Sequence, residues 1–188
     1  MAERGAEGVA INEITEAADV GFGSFYNHFE SKDAIYAAVV ESLFGEFADW
    51  LDQLSAGIDD PAEVVALAVR HTVARAQREP LWGRFLIREG LSPGAIERGL
   101  GRRLIRDIRN GIQSRRFPNT DEFMAFAAVA GTVLFAVNAT TDETARASQF
   151  KHWPERTAAT ALRILGLAQE TAEDIAYRPL PQPKSAAP

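Results

Sequence analysis

The sequence predicts an all-α protein, and three observations carry that prediction. Apolar residues recur at helical spacing through most of the 188-residue chain. No segment sustains the period-2 alternation of β-branched residues that marks a strand. Prolines at positions 61, 80, 93, 118 and 154 fall between the periodic stretches, where a residue without an N–H starts or stops a helix. Hydrophobic residues make up 46% and charged residues 24%, an ordinary composition for a soluble domain with a core.

Taken in order, Ile11 to Ala18 reads as a short helix and Phe22 to Phe29 as a second, with a tight turn between them. That is the grammar of a helix-turn-helix, which can place its second helix in the DNA major groove. A long third helix, Lys32 to Leu54, starts after Ser31, an N-cap with acidic Asp33 in the first turn. Its apolar positions Ile35, Val39, Leu43, Phe47, Trp50 and Leu54 recur at helical spacing. Ser55 to Asp60 is a loop, and Pro61 opens a helix to Glu79. This helix is apolar on two faces, one with Val64, Leu67, Ala68 and His71, the other with Val65, Val69 and Val73, so it is expected to be central. Leu81 to Glu89 is a short helix carrying Trp82, Phe85 and Leu86. Pro93 opens one longer, arginine-rich helix to about Arg116, and its Arg98, Arg102, Arg106 and Arg109 form a face expected to be solvated. Thr120 caps an apolar helix running through Asn138. Thr140 to Gln149 is a polar connection, and Pro154 starts a helix that Gly166 ends. A brief helix spans Thr171 to Ile175, and the tail from Arg178, with four prolines, is expected to be extended and mobile.

The chain has no cysteine, which excludes disulfides, thiolate metal sites and cysteine nucleophiles. Its three histidines, His28, His71 and His152, sit on separate elements. No glycine-rich phosphate loop, metal-spaced cluster or nucleophile elbow is present, so no catalytic residue, metal or cofactor is expected and an enzyme is the weakest reading. The N-terminus is polar and acidic rather than basic then apolar, so a cytoplasmic location is expected. Phe123 to Ala139 has only Thr132 and Asn138 as polar side chains, but it falls short of the ~20 residues a bilayer needs and lacks basic anchors. A helix buried in a protein or subunit core is the expectation, with no membrane partner. The net charge of −6 is concentrated in residues 1–45, where Arg4 and Lys32 face eight acids. Phosphate contacts dominate affinity for DNA, so this balance opposes DNA binding by the chain as given.

Residues 8–36 nevertheless resemble the DNA-binding motif of the tetracycline-repressor (TetR) family. The family's Ile-Ala-x-x-Ala-Gly-Val core is matched by Ile14, Thr15, Ala18, Asp19 and Val20. Its recognition helix, Ser-x-Gly-Thr-Leu-Tyr-x-His-Phe, is matched by Gly21, Gly23, Ser24, Phe25, Tyr26, His28 and Phe29, and its Ser-Lys-Glu by Ser31, Lys32 and Asp33. Gly23 permits close backbone approach, while Ser24, Tyr26, His28 and Lys32 can donate to phosphate oxygens. Phe22 and Asn27 are positioned to reach base edges. Three substitutions weaken the pattern: Ala10 stands where a Thr cap is usual, Asp19 replaces the turn glycine, and Gly21 replaces a capping Ser. The family's first helix is reduced to Met1 to Gly5, which implies a natural start upstream.

The resemblance implies a helix-turn-helix domain over residues 1–36, a helical effector-binding and dimerisation domain over 37–177, and a tail over 178–188. It implies a homodimer on palindromic operator DNA and a small, mainly apolar effector whose binding releases the operator; activation is the other sense. The aromatics Phe47, Trp50, Trp82, Phe85, Phe123 and Phe126 are expected in the core. Phe47, Trp50, Trp82, Phe85 and Phe126 also serve as candidate effector contacts, with His71 and Asn138 as polar anchors. Small residues Ala127 and Gly131, with Leu134, Trp153, Ala158, Ala161, Leu162 and Leu165, suggest a two-helix dimer face. The long third helix would couple the two domains. The alternative is a dimeric ligand-binding or interaction module that has lost DNA binding, which the acidic N-terminal end favours.

Overall fold

A computed structural model describes residues 10–19, 21, 26–118, 121–141 and 151–181. Among these residues there are nine helices and no strand. They are α1 (Ile11–Ala17), α2 (Lys32–Ser55), α3 (Pro61–Arg78), α4 (Pro80–Glu89), α5 (Pro93–Arg98), α6 (Leu100–Gln113), α7 (Glu122–Thr141), α8 (Trp153–Ile164) and α9 (Gln169–Tyr177). Residues 26–28 form a further helical turn.

The start of each long helix follows its local chemistry. Ser31 caps α2, its hydroxyl accepting from the Ala34 N–H at 3.1 Å. Asp60 caps α3 by accepting from the Ala62 N–H at 2.9 Å, and Pro61 occupies the first turn. Asp121 caps α7, accepting from the Met124 N–H at 2.8 Å; the cap expected from Thr120 lies outside the described residues. Gly166 ends the α8 turn with φ +94, and a Cβ there would meet the Pro118 ring at 2.8 Å, so glycine is required twice over.

Helix α3 lies at the centre, as its two-faced apolar pattern predicts. Val65, Val69 and Val73 are buried, and so is Leu67 on the other face. It packs against α8 most extensively and also against α2, α4, α6, α7 and α9. The alanines Ala158 and Ala161 of α8 are fully buried in this contact layer, together with Leu162 and the following Leu165. These four residues are therefore consumed by packing inside the protomer and present nothing to a second copy.

Two further expectations are corrected and a third is sharpened. The stretch from Pro93 to Arg116 is two helices, because the chain leaves helical geometry at Gly99 (φ −97, ψ −138) and resumes at Leu100. The arginine face is solvated, as expected, with Arg102, Arg106 and Arg109 all exposed, but two of its members are also ion-paired. Arg106 donates to Asp52 at 2.7 Å and Arg109 reaches Glu122 with both its Nε and a terminal nitrogen, at 2.9 and 2.7 Å. Arg102 is exposed, and the side chain of Arg98 lies outside the described residues. The tail is anchored over its first residues: Arg70 donates to the Arg178 carbonyl at 2.6 Å, the Arg178 guanidinium pairs with Glu63 and Asp174, and Leu180 packs on the core.

Helix α7 is long and apolar enough to cross a membrane by length and composition. Its inner face, with Ala125, Phe126, Val129, Ala136 and Val137, is buried in the protomer. Its outer face is not: Phe123, placed in the core by sequence, is 72% exposed, Met124 62% and Phe135 69%.

Candidate functional site

Helices α2, α3, α4, α6 and α7 enclose a cavity of about 90 Å³. Its walls are mostly aliphatic: Leu51 from α2, Leu67 and Ala68 from α3, Leu86 from α4, Leu100 and Leu104 from α6, and Phe126, Ala130, Val133 and Leu134 from α7. Polar groups enter from Asp52 and Ser55 on α2, Thr72 on α3, and Arg103 and Asp107 on α6. The Thr72 hydroxyl donates to the Ala68 carbonyl at 2.7 Å. Asp52, Arg103 and Asp107 belong to one network. Arg103 donates to Asp52 through Nε at 2.9 Å and also pairs with Asp49. Arg106 joins Asp52 at 2.7 Å to Asp107 at 2.8 Å.

The two carboxylates on this network differ electrostatically. Burial pushes Asp52 up, but hydrogen bonds from Arg106 and Arg103 outweigh it and hold Asp52 below the usual carboxylate range. Burial pushes Asp107 up and wins, because Arg106 is its main cationic partner and is shared with Asp52. A perturbed carboxylate in a mostly apolar cavity marks a candidate binding group. The site thus offers acceptors and a guanidinium to a small polar-edged ligand with an apolar body.

Of the sequence-named effector contacts, Phe126 lines this cavity. Phe47, Trp50, His71, Trp82 and Phe85 do not; they build a continuous aromatic layer beside it. Phe47 stacks on Trp50 with centroids 5.6 Å apart and meets Trp82 edge-on at 5.1 Å. Phe44 bridges to Trp82 and Phe85, and Arg75 lies over Phe47 and Trp82 at 4.8 and 4.7 Å. The edges of these rings line two open clefts of about 310 and 450 Å³, one with Phe47 and Trp50 beside Arg75, the other with Trp82 and Phe85 beside Leu43. The central cavity opens instead among small residues of three helices, Ala68, Gly101 and Ala130. Asn138 is exposed on the outer face of α7, away from the cavity lining.

His71 sits edge-on to Trp50 at 4.8 Å, and its buried Nε2 has no hydrogen-bond partner among the described residues. Burial, with Arg70 and Arg78 nearby, lowers its pKa to about 4. The unfolded chain takes up a proton that folded His71 refuses, so stability is complete above pH 6.5 and declines as pH falls toward 4. The effect is on the order of 1 kcal/mol once partial exposure is allowed for. Replacing His71 with Phe is expected to flatten the unfolding midpoint between pH 7 and 5; an unaltered slope would rule His71 out as its source.

At the other end of α2, Tyr26, Asn27 and His28 form an exposed helical turn. Lys32 is the first residue of α2 and is half-buried. Phe22, Gly23 and Ser24 lie outside the described residues, as does Val20. Ala10 makes no side-chain cap at the start of α1, and Asp19 adopts φ 53, the left-handed conformation that the missing turn glycine would supply.

Of the sequence-named dimer residues, Ala127 and Gly131 are exposed on α7, Leu134 lines the cavity, and Trp153 donates its Nε1 to the Ala136 carbonyl at 3.0 Å. The residues that accompany Ala127 and Gly131 on the open face are Phe123, Met124, Ala128, Phe135 and Asn138. Met124, Ala128, Gly131, Phe135 and Asn138 recur at alternating steps of four and three, the spacing of a helix seam. A Cβ at Gly131 would meet nothing within 4 Å in the protomer.

Sequence reasoning missed Asp52, Arg103 and Asp107. A signal was available: Leu100, Arg103, Leu104 and Asp107 share one face of α6 by i, i+3, i+4, i+7 spacing, and Asp107 is the lone acid of that helix.

A family model described as tetracyclin repressor-like, C-terminal domain, matches residues 60–178, and one described as bacterial regulatory proteins, tetR family, matches residues 1–39. The transcriptional repressor DhaR of Mycobacterium sp. (strain GP1) is 52% identical over 44 residues, 23% of this chain and 22% of DhaR. That match spans less than a quarter of the relative's length. Among solved structures, RolR without ligand has a TM-score of 0.73 and 36% identity, covering 97% of this chain and 94% of RolR. RolR in complex with resorcinol has a TM-score of 0.77 and 36% identity, covering 97% of this chain and 90% of that one. The regulator FadR of Bacillus subtilis in complex with stearoyl-CoA has a TM-score of 0.68, 18% identity and coverage of 88% and 91%, a likeness that bears on fold alone.

Proposed function

Because the chain belongs to the TetR family of bacterial regulatory proteins, we propose that it is a homodimeric transcriptional repressor, acting in the cytoplasm, that releases operator DNA when a small hydroxylated aromatic enters the central cavity. The observation that carries this reading is the polar wall of Asp52, Arg103 and Asp107 set in an otherwise aliphatic cavity. The resorcinol held by RolR makes a dihydroxybenzene the first compound to try. Size agrees: about 90 Å³ is far below the ~300–1,000 Å³ of pockets for larger ligands, and closer to the ~150 Å³ cavity that accepts benzene. Ring hydroxyls would donate to Asp52 and Asp107 and accept from Arg103, while the ring lies on Leu67, Leu104 and Phe126.

A cavity this small takes a ring only by moving its walls. One wall is α2, which carries Asp52 at the cavity and begins at Lys32, 20 residues and about 30 Å away beside the recognition turn. A ligand that prefers the displaced α2 changes the spacing of the two recognition helices of a dimer, and only that preference can weaken operator binding. Tyr26, Asn27 and His28, exposed together, are the described residues that would face DNA; Tyr26, His28 and Lys32 would meet phosphates. The second copy would pair through the α7 seam.

Selection of bound DNA from a random pool tests the first half of this reading. A palindromic consensus is expected, with log affinity falling linearly as log salt rises. No enrichment at low salt would leave the alternative, a dimeric ligand-binding module without DNA, which the eight acids against two bases in residues 1–45 favour.

A further inference from the structure

One of the clefts outside the cavity adjoins it. It is a cleft of about 150 Å³ between the connection from α2 to α3 and the body of α6, lined by Ile58, Asp59, Pro61, Val64, Asp107 and Asn110. Val64 and Asp107 line the inner cavity as well. The two voids therefore share a wall made by one aliphatic and one carboxylate side chain. Ser55, at the end of α2 where this connection begins, also faces the inner cavity. The remaining lining of the cavity comes from the packed bodies of α2, α3, α4, α6 and α7.

We infer that this cleft is the entry route to the central cavity, with Asp107 as its gatepost. Asp107 is suited to that place. Its side chain keeps 10% exposure although it borders the cavity, and its one described partner is the neighbouring Arg106, at 2.8 Å. Arg106 remains held by Asp52 at 2.7 Å when Asp107 turns aside, so opening breaks one hydrogen bond and leaves the ionic network in place. The outer lip offers Asn110 and Asp59, both exposed, as first contacts for a hydroxylated compound before it passes Asp107. The inference rests on the reading of the cavity as an effector site, but the route itself can be tested without any effector.

The chain has no cysteine, so Leu67→Cys places a single thiol in the buried cavity wall. Methyl methanethiosulfonate is expected to modify that thiol in the folded full-length chain. Adding Asn110→Trp or, from the opposite lip, Asp59→Trp is expected to slow the reaction at least tenfold, whereas Arg102→Trp, outside the cleft, leaves it unchanged. A modification rate untouched by both plugs, or a thiol that reacts only on unfolding, overturns the route. With resorcinol as probe, the plugs should slow association and dissociation by the same factor and leave Kd within twofold. If the unplugged protein binds no resorcinol, the effector assignment falls while the thiol rates still decide the route.

Discussion

Replacing Phe135 with glutamate is expected to leave a folded protein that is monomeric at micromolar concentration. Phe135 is 69% exposed in the protomer and lies mid-seam between Met124 and Asn138. A stable dimer buries roughly 800 Å² on each copy, and an apolar helix face is the usual way to reach it. In a two-fold interface the substitution occurs twice, so two desolvated carboxylates meet across one contact, each costing several kcal/mol without a cation to pair with. The protomer should tolerate the change, because Phe135 contributes nothing to its buried core. Sedimentation of the wild type and the variant at equal concentration reads the outcome. A variant that remains dimeric would move the interface off α7, and a monomeric wild type would remove the dimer from the account.

Asp107→Asn is expected to reduce affinity for resorcinol at least tenfold while leaving the unfolding midpoint equal or higher. The two effects have one cause. Burial penalises the Asp107 carboxylate and raises its pKa, so at neutral pH the folded state carries a charge that the unfolded state holds more comfortably. Removing that charge relieves the fold, and Arg106 keeps Asp52 as its partner. The lost hydrogen bond to a charged acceptor is worth ~1.5–3 kcal/mol to a ligand hydroxyl, which is a tenfold loss or more. If Asp107 binds a ligand hydroxyl, its cost to the fold is the expected trade of stability for function. Calorimetric titration and a thermal scan on the same preparation separate this from a structural role. A destabilised variant with unchanged affinity would make Asp107 a structural residue.

The helical layout was largely legible because it follows from local chemistry. Ser31, Asp60, Pro61 and Gly166 announce boundaries within a residue or two of where they fall. The split at Gly99 was not read from the sequence, although Gly99 and Gly101 flank Leu100 there, because the arginine-rich pattern on either side continues at helical spacing. The arginine face is exposed as its pattern suggests, but its ion pairs were not legible, because Asp52 and Glu122, which pair with Arg106 and Arg109, lie on other helices. The aromatics were sound as core except Phe123, but a large ring is as good at filling space as at lining it. Only the fold shows that five candidate effector contacts pack on one another, four of them edging open clefts, while Phe126 lines the central cavity. On α8, small residues signal close helix approach without naming the partner, and Ala158 and Ala161 face inside the protomer.

Under the proposed function, a hydroxylated ring in the cavity of Asp52, Arg103 and Asp107 controls operator binding. It is tested most directly by fluorescence anisotropy of the selected operator, titrated with resorcinol in the presence of the wild type or Asp107→Asn. Release from the wild type is expected at a resorcinol concentration at least tenfold lower than from the variant, with equal operator affinity before resorcinol is added. Release at the same concentration from both proteins, or none from the wild type, would contradict it.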